Sequence, residues 1–373
     1  MKFLDISVLN PAMRSVITYF QKKPISFLLI ALPCAILAYI LKFGSVWVFV
    51  MSALGVIPLA GFIGEATEAL SQYTGPRLGG LLNATLGNAA ELIITIVAIR
   101  EGLLELVKAS ITGSILGNLL LVLGMSMLIG GIRNGVQTFD RSTASRNSIL
   151  LVLTILILLI PSILSHYIGA TNPTPSVKVE ALSLGVAFIM IILYALGLVY
   201  GFKSSRGLLV PEEKDLHANR SSWSISRSLL TLALATGGVA YLSEILVGAV
   251  EPVVTSLGIS EFFIGVIFIP IIGNVAEHLV AVQVAVRNKM TLSVEIAVGS
   301  SLQIALFVVP VLTVLSLFMG NPLTLIFNQF ELLALIAGVF IAALVSEDGE
   351  SNWLEGCELL AIYLILSLAF FLL

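Results

Sequence analysis

Charge is scarce in this sequence. Only 11% of its 373 residues are Asp, Glu, Lys or Arg, against about 25% in soluble proteins. A globular protein of this length would lack a water-facing surface. Cysteine occurs twice, and Cys34 and Cys357 sit in separate apolar stretches, so neither a disulfide framework nor a thiolate metal cluster follows from their spacing. Neither sign of charge is in large excess. The 19 basic and 22 acidic residues leave a net −3, which offers no phosphate-neutralising surface and excludes a nucleic-acid binder. What the chain has in quantity is apolar: 58% of its residues are hydrophobic, with a mean hydropathy of +1.07. Such a chain is a polytopic membrane protein.

A helix needs about 20 apolar residues to cross roughly 30 Å of hydrocarbon. Segments that meet or approach this length run over 25–41, 45–70, 80–99, 103–131, 147–168, 180–202, 225–250, 258–286, 290–319, 330–346 and 354–372, which predicts eleven crossings. The first follows Lys22, Lys23 and Pro24 and has no clear small-residue cleavage site, so it reads as a span rather than a cleaved signal. With the N-terminus in the cytoplasm, 15 of the 19 basic residues fall on the inner side, and Lys42, Arg100, Lys108 and Lys178 remain outside. That bias is the positive-inside rule. Residues 203–224 carry Pro211 and mixed charge without apolar periodicity, and read as a cytoplasmic linker between two halves.

The halves repeat one another. Residues 87–92 read GNAAEL and 273–278 read GNVAEH; 113–116 read GSIL and 299–302 read GSSL, both pairs at an offset of 186. A weaker echo sets Thr67-Glu68-Ala69-Leu70 against Ser243-Glu244-Ile245-Leu246. The expected fold is therefore an all-α integral membrane protein of 11 helices. Residues 1–44 hold an N-terminal segment and the first span; 45–202 and 225–373 are two five-helix repeats. Five crossings is an odd number, so the repeats enter the membrane from opposite sides, an arrangement that places a shared site near the midplane.

Glu91 and Glu277 lie inside apolar runs, where a charged side chain costs at least about 2.5–3.5 kcal/mol and marks a functional site by default. Spans 3 and 8 offer no basic partner near either. Asn88 and Asn274 precede them by three residues, on the same helix face. Gly87 and Gly273, with Pro270, suit a locally unwound helix whose carbonyls line a cavity. Ser114 and Ser300, with Asn118 and Gln303 beyond them, add further oxygens. Such hard donors favour Ca2+ or a similar divalent cation; for the neutral residues the alternative is helix-to-helix hydrogen bonding. Glu68 and Glu244 are candidates for proton coupling or the ion pathway, against simple pairing with an arginine such as Arg77. His278, where Leu92 stands in the first half, is either a proton carrier or a packing residue. Glu295 reads as a headgroup-level carboxylate. The acidic group Glu347, Asp348, Glu350, Glu355 and Glu358 reads as solvated loop charge, and His166 and His217 as loop residues.

With GNAAEL and GSILGN in one half and GNVAEH and GSSLQIALFVVP in the other, the sequence resembles the Ca2+/cation–H+ antiporters of the cation/Ca2+ exchanger superfamily, over spans 2–11. The resemblance implies calcium export against proton entry, with Glu91 and Glu277 matching the essential glutamates. Asn88, Asn274, Ser114 and Ser300 match accessory polar positions, Glu68 and Glu244 a further acidic pair, and His278 a histidine of this branch. It also implies no cofactor beyond the transported Ca2+ and H+, with the lipid bilayer as surroundings. A homo-oligomer is compatible with it, and the prokaryotic inner membrane is the expected location, an organelle membrane such as the vacuolar one being the other option. A Na+/Ca2+ exchanger of the same fold is the nearest rival, disfavoured because its GTS-plus-acid motif is replaced. An intramembrane hydrolase lacks HExxH and GxSxG, and paired mobile carboxylates would make an odd channel filter.

Overall fold

The computed structural model describes residues 24–171, 175–203 and 223–373. Apart from its edges, the linker expected over 203–224 lies outside the described residues, as do most of the segment 1–44 before Pro24 and the side chains of Arg77, His166 and His217.

The regular structure of the described chain is helical except for one two-residue strand pair, as expected where lipid cannot satisfy backbone N–H and C=O groups. A 3-10 turn over Pro24–Ile30 leads into α1 (Ala31–Ile40), followed by α2 (Ser45–Leu86), α3 (Ala89–Arg100), α4 (Leu104–Leu116) and α5 (Leu123–Asn134). Strand β1 (Gln137–Thr138), α6 (Arg141–Thr171) and α7 (Pro175–Lys203) complete the first half. The second half comprises α8 (Ile225–Gly248), α9 (Val250–Leu257), α10 (Ile269–Val286), α11 (Met290–Gln303), α12 (Val309–Phe318), α13 (Gln329–Val345), β2 (Glu350–Ser351) and α14 (Trp353–Leu372).

Among the described residues, eight helical stretches are long and apolar enough to cross a membrane, and Ile25–Ile40 and Gln329–Val345 are shorter apolar helices. The remaining expected span, 80–99, is interrupted at Gly87–Asn88, between α2 and α3. Helix α2 is assigned without a break, yet a Cβ on Gly79 would lie 2.8 Å from the Ser71 carbonyl oxygen. Eight residues of straight helix would separate them by about 12 Å, so the chain bends back sharply between them. The sequence there contains Gly75-Pro76, a pair unsuited to a helix interior.

One expectation needs correction. The first motif does interrupt its helix, with Asn88 at φ −91 and ψ 14. Gly273, by contrast, lies within the continuous α10. The distortion sits upstream, as a π turn over Ile264–Phe268 directly before Ile269-Pro270. Proline has no N–H and its ring collides with the carbonyl four residues back, and a widened turn relieves both problems ahead of the motif. The same device precedes Pro310, where a π turn covers Ile304–Val308. A third π turn, Gly117–Val122, joins α4 to α5 without proline.

The most extensive helix contact is α2 along α8. At one end of the bundle β1 pairs antiparallel with β2. There the Gln137 amide donates to the Ala285 carbonyl at 2.9 Å, and the Asp140 N–H to Thr291. At the other end Arg100 meets Glu244 at 3.3 Å, and Asn321 donates to the Ile99 carbonyl at 2.9 Å. Residues 137–140 thus meet 285–291 at one end, and 99–100 meet 244 and 321 at the other.

Candidate ion-binding site

Glu91 stands in the first turn of α3, where the helix dipole favours negative charge, and is 3% exposed. Its Oε1 accepts from the Ser114 hydroxyl on α4 at 2.5 Å and from the Asn274 amide on α10. Its Oε2 is buried and has no hydrogen-bond partner among the described residues. Glu277, half-buried on α10, accepts on Oε2 from the Ser300 hydroxyl of α11 at 2.9 Å. Ser300 in turn accepts from the Asn118 amide at 3.1 Å, and the Asn88 amide donates to Gln303 Oε1 at 2.9 Å.

These contacts cross between the halves. Asn274 of the second motif holds Glu91 of the first, and Asn118 of the first half holds the serine that holds Glu277. Two glycines make the crossing tighter. A Cβ on Gly273 would lie 2.8 Å from Glu91 Cγ, and one on Gly87 would lie 3.1 Å from Glu277 Oε1. Each motif's glycine therefore abuts the other motif's glutamate. Close packing behind the serines fixes the distances: a Cβ on Gly113 would strike the Val266 carbonyl oxygen at 2.0 Å, so α4 lies with its backbone against the π turn ahead of α10.

All eight residues expected to bind a cation fall in three hydrogen-bonded sets, Ser114–Glu91–Asn274, Asn118–Ser300–Glu277 and Asn88–Gln303, which together with the two glycine contacts make up a ring of donors. Their side chains supply carboxylate, amide and hydroxyl oxygens, hard donors of the kind Ca2+ takes. Among the described residues no group of three or more His, Cys, Asp or Glu side chains is placed to hold a metal. A cation held by two carboxylates must therefore draw on neutral oxygens as well.

With that geometry in place, comparison with known proteins is informative. The sequence pattern of the sodium/calcium exchanger protein family matches residues 44–203 and 227–372. The chain belongs to that family. It is 44% identical over 362 residues to a Ca2+/H+ antiporter of Aphanothece halophytica, covering 92% of this chain and 95% of that one. It is 43% identical over 354 residues to the Ca2+/H+ antiporter ChaA of Bacillus subtilis (strain 168), covering 94% and 99% respectively. The solved structure of native YfkE superposes with a TM-score of 0.81 at 40% identity, covering 94% of this chain and all of that one.

The remaining acidic candidates of this family member lie outside the ring. Glu244 is exposed and bridged to Arg100; the alternative partner Arg77 has its side chain outside the described residues. Glu68 is exposed on α2, where its backbone carbonyl accepts from Ser71. His278 has a buried Nε2 without a hydrogen-bond partner among the described residues, so no hydrogen bond from that nitrogen joins it to the ring. Glu295 lines a small cleft with Asp140, Asn147 and Thr291. In the acidic segment, Asp348 accepts from the Glu350 N–H, and Glu355 completes a capping box with Asn352 at the start of α14.

One buried acid was not singled out from the sequence. Glu331 is 1% exposed; it forms a capping box with Asn328 at the start of α13 and accepts from Thr112 at 3.4 Å. Its signal was available in the Asn328-to-Glu331 spacing, which is a helix-start pattern.

Proposed function

We propose that this chain is a secondary active antiporter that exchanges Ca2+, or a similar divalent cation, for H+ and exports calcium from the cytosol by alternating access. The observation that carries this is the convergence of Glu91 and Glu277, one from each motif, within a single ring of oxygen donors. Two neighbouring carboxylates in a poorly hydrated site repel one another strongly, and a divalent cation balances both charges. When it leaves, protons take its place, because an empty, doubly charged site is too costly to carry through the bilayer. Exchange then needs no ATP and no cofactor. The Ca2+/H+ antiporters named above support the choice of ions.

In this proposal the bundle crosses the membrane eleven times, with spans 2–6 and 7–11 as inverted repeats around the site. The N-terminus faces the cytoplasm, and the bacterial plasma membrane is the setting. Glu68, Glu244 and His278 belong to the proton or ion route. The π turns at Gly117–Val122 and Ile304–Val308, which overlap at the repeat offset of 186 and end at the same position, support the internal duplication. Glu91→Gln and Glu277→Gln should each abolish 45Ca2+ uptake driven by a pH gradient in proteoliposomes while the protein still reaches the membrane. Normal uptake by both variants would refute the assignment, and flux that follows a Na+ gradient instead would replace H+ as the counter-ion.

A further inference from the structure

We infer that Gly273 is a positioning residue: its missing side chain forms the slot in which the stem of Glu91 lies, and so sets where that carboxylate stands and which cations fit. This deepens the ion-site assignment of Glu91, on which it rests. Two observations converge. Gly273 is buried inside the continuous helix α10, with no break and no left-handed backbone to require a glycine. Within a helix, alanine is favoured over glycine, so backbone conformation gives no reason for its presence. The neighbours of a Cβ built there supply one. The nearest heavy atom is Glu91 Cγ at 2.8 Å, and the next two nearest are Glu91 Cα and Cβ at 3.8 Å.

The slot matters because of what it delivers. From Cγ the Glu91 side chain runs to Oε1, which accepts from Ser114 and from Asn274, the residue beside Gly273. A methyl group at 273 would push Cγ outward from closer than van der Waals contact and draw the carboxylate off those donors. Ca2+ tolerates variable coordination at 2.3–2.6 Å, whereas smaller cations demand shorter, more regular geometry. A displaced carboxylate therefore changes the ranking of ions as well as their affinity. Gly87 makes the mirror approach to Glu277, but a Cβ there would also strike the Asn83 carbonyl oxygen at 2.6 Å, so substituting it would strain the backbone. Gly273 is the clean test.

The full-length chain is reconstituted as wild type, Gly273→Ala, Glu91→Ala and the double variant, with Gly237→Ala as a control in α8, where an added Cβ meets nothing within 4 Å. Gly273→Ala is expected to insert normally, to raise the KM for Ca2+ about tenfold or more with a smaller change in maximal rate, and to reorder transport of Ca2+, Sr2+ and Mn2+. Its loss of thermal stability should vanish in the Glu91→Ala background, where the stem is gone. The inference is overturned if Gly273→Ala fails to accumulate in both backgrounds, lowers Tm equally in both, or leaves KM and ion ranking as in wild type. Normal flux by Glu91→Ala alone would sink the underlying ion-site assignment, and is read without touching Gly273.

Discussion

Among the described residues Glu91 receives two hydrogen bonds on Oε1 and none on Oε2. A buried carboxylate oxygen left bare costs the full desolvation penalty, about 1–3 kcal/mol or more when charged, so it is the atom best placed to meet a cation. Ser114 fixes its partner oxygen. Bonds to charged groups contribute about 1.5–3 kcal/mol, so Ser114→Ala should raise the KM for Ca2+ by roughly tenfold or more in a flux assay, while Ser114→Thr retains the hydroxyl. Asp140 is the opposite kind of residue. The Thr143 hydroxyl above all, with the hydroxyl and N–H of Ser142 and the N–H of Thr143, holds its carboxyl below the usual carboxylate range, and it caps α6 at the surface. Since the folded state favours the charged form, this stabilisation is present above the ordinary carboxylate range and is lost as pH falls through the lowered value. Asp140→Ala should lower helix stability by about 1 kcal/mol, read as a lower Tm near neutral pH, with Ca2+ flux retained.

The π turns set the angle at which each motif faces the site. Removing one residue rotates everything beyond it by about 100°, so deleting Val266 from the turn ahead of Pro270 should swing Asn274 and Glu277 out of the ring. Flux would be lost although the helix stays apolar enough to insert; retained flux would mean that the turn does not set the register. Elsewhere the helices rely on backbone proximity. A Cβ on Gly356 would lie 2.3 Å from the Leu128 N, small-residue packing of the kind membrane helices use. Gly356→Leu should therefore separate α14 from α5 and lower Tm by several degrees. At this scale the sequence was legible in part. The paired glutamates, amides and serines announced themselves because a polar side chain in an apolar run has to be explained. Their cross-pairing, Asn274 to Glu91 and Asn118 to Ser300, was not legible, since it depends on how two distant helices rotate against each other. Gly273 was misread as a helix breaker because composition cannot distinguish a glycine that bends a chain from one that makes room.

Over the whole molecule, the two ends of the bundle hold different loops. The basic residues Arg133, Arg141, Arg287 and Lys289 gather at the end where β1 meets β2, and Arg100 and Lys108 lie at the other. In the ring each motif's glycine abuts the other motif's glutamate, so an ion that both glutamates hold is exchanged there. Cation binding to carboxylates requires that they be deprotonated, so metal affinity depends on pH. If H+ and Ca2+ compete for Glu91 and Glu277, acidifying the loading side must raise the KM for Ca2+, approaching about a hundredfold per pH unit where both sites carry a proton. Maximal rate at saturating Ca2+ should change far less, because mass action lets the ion displace the protons. The measurement is initial 45Ca2+ flux into proteoliposomes across a series of external pH values, with the internal pH fixed and a protonophore control. Collapse of the gradient should abolish accumulation, and replacing Na+ with K+ should leave it intact. A KM independent of external pH would mean that protons and Ca2+ use separate groups, and would move the coupling away from the two glutamates to acids such as Glu68 and Glu244 that lie outside the ring.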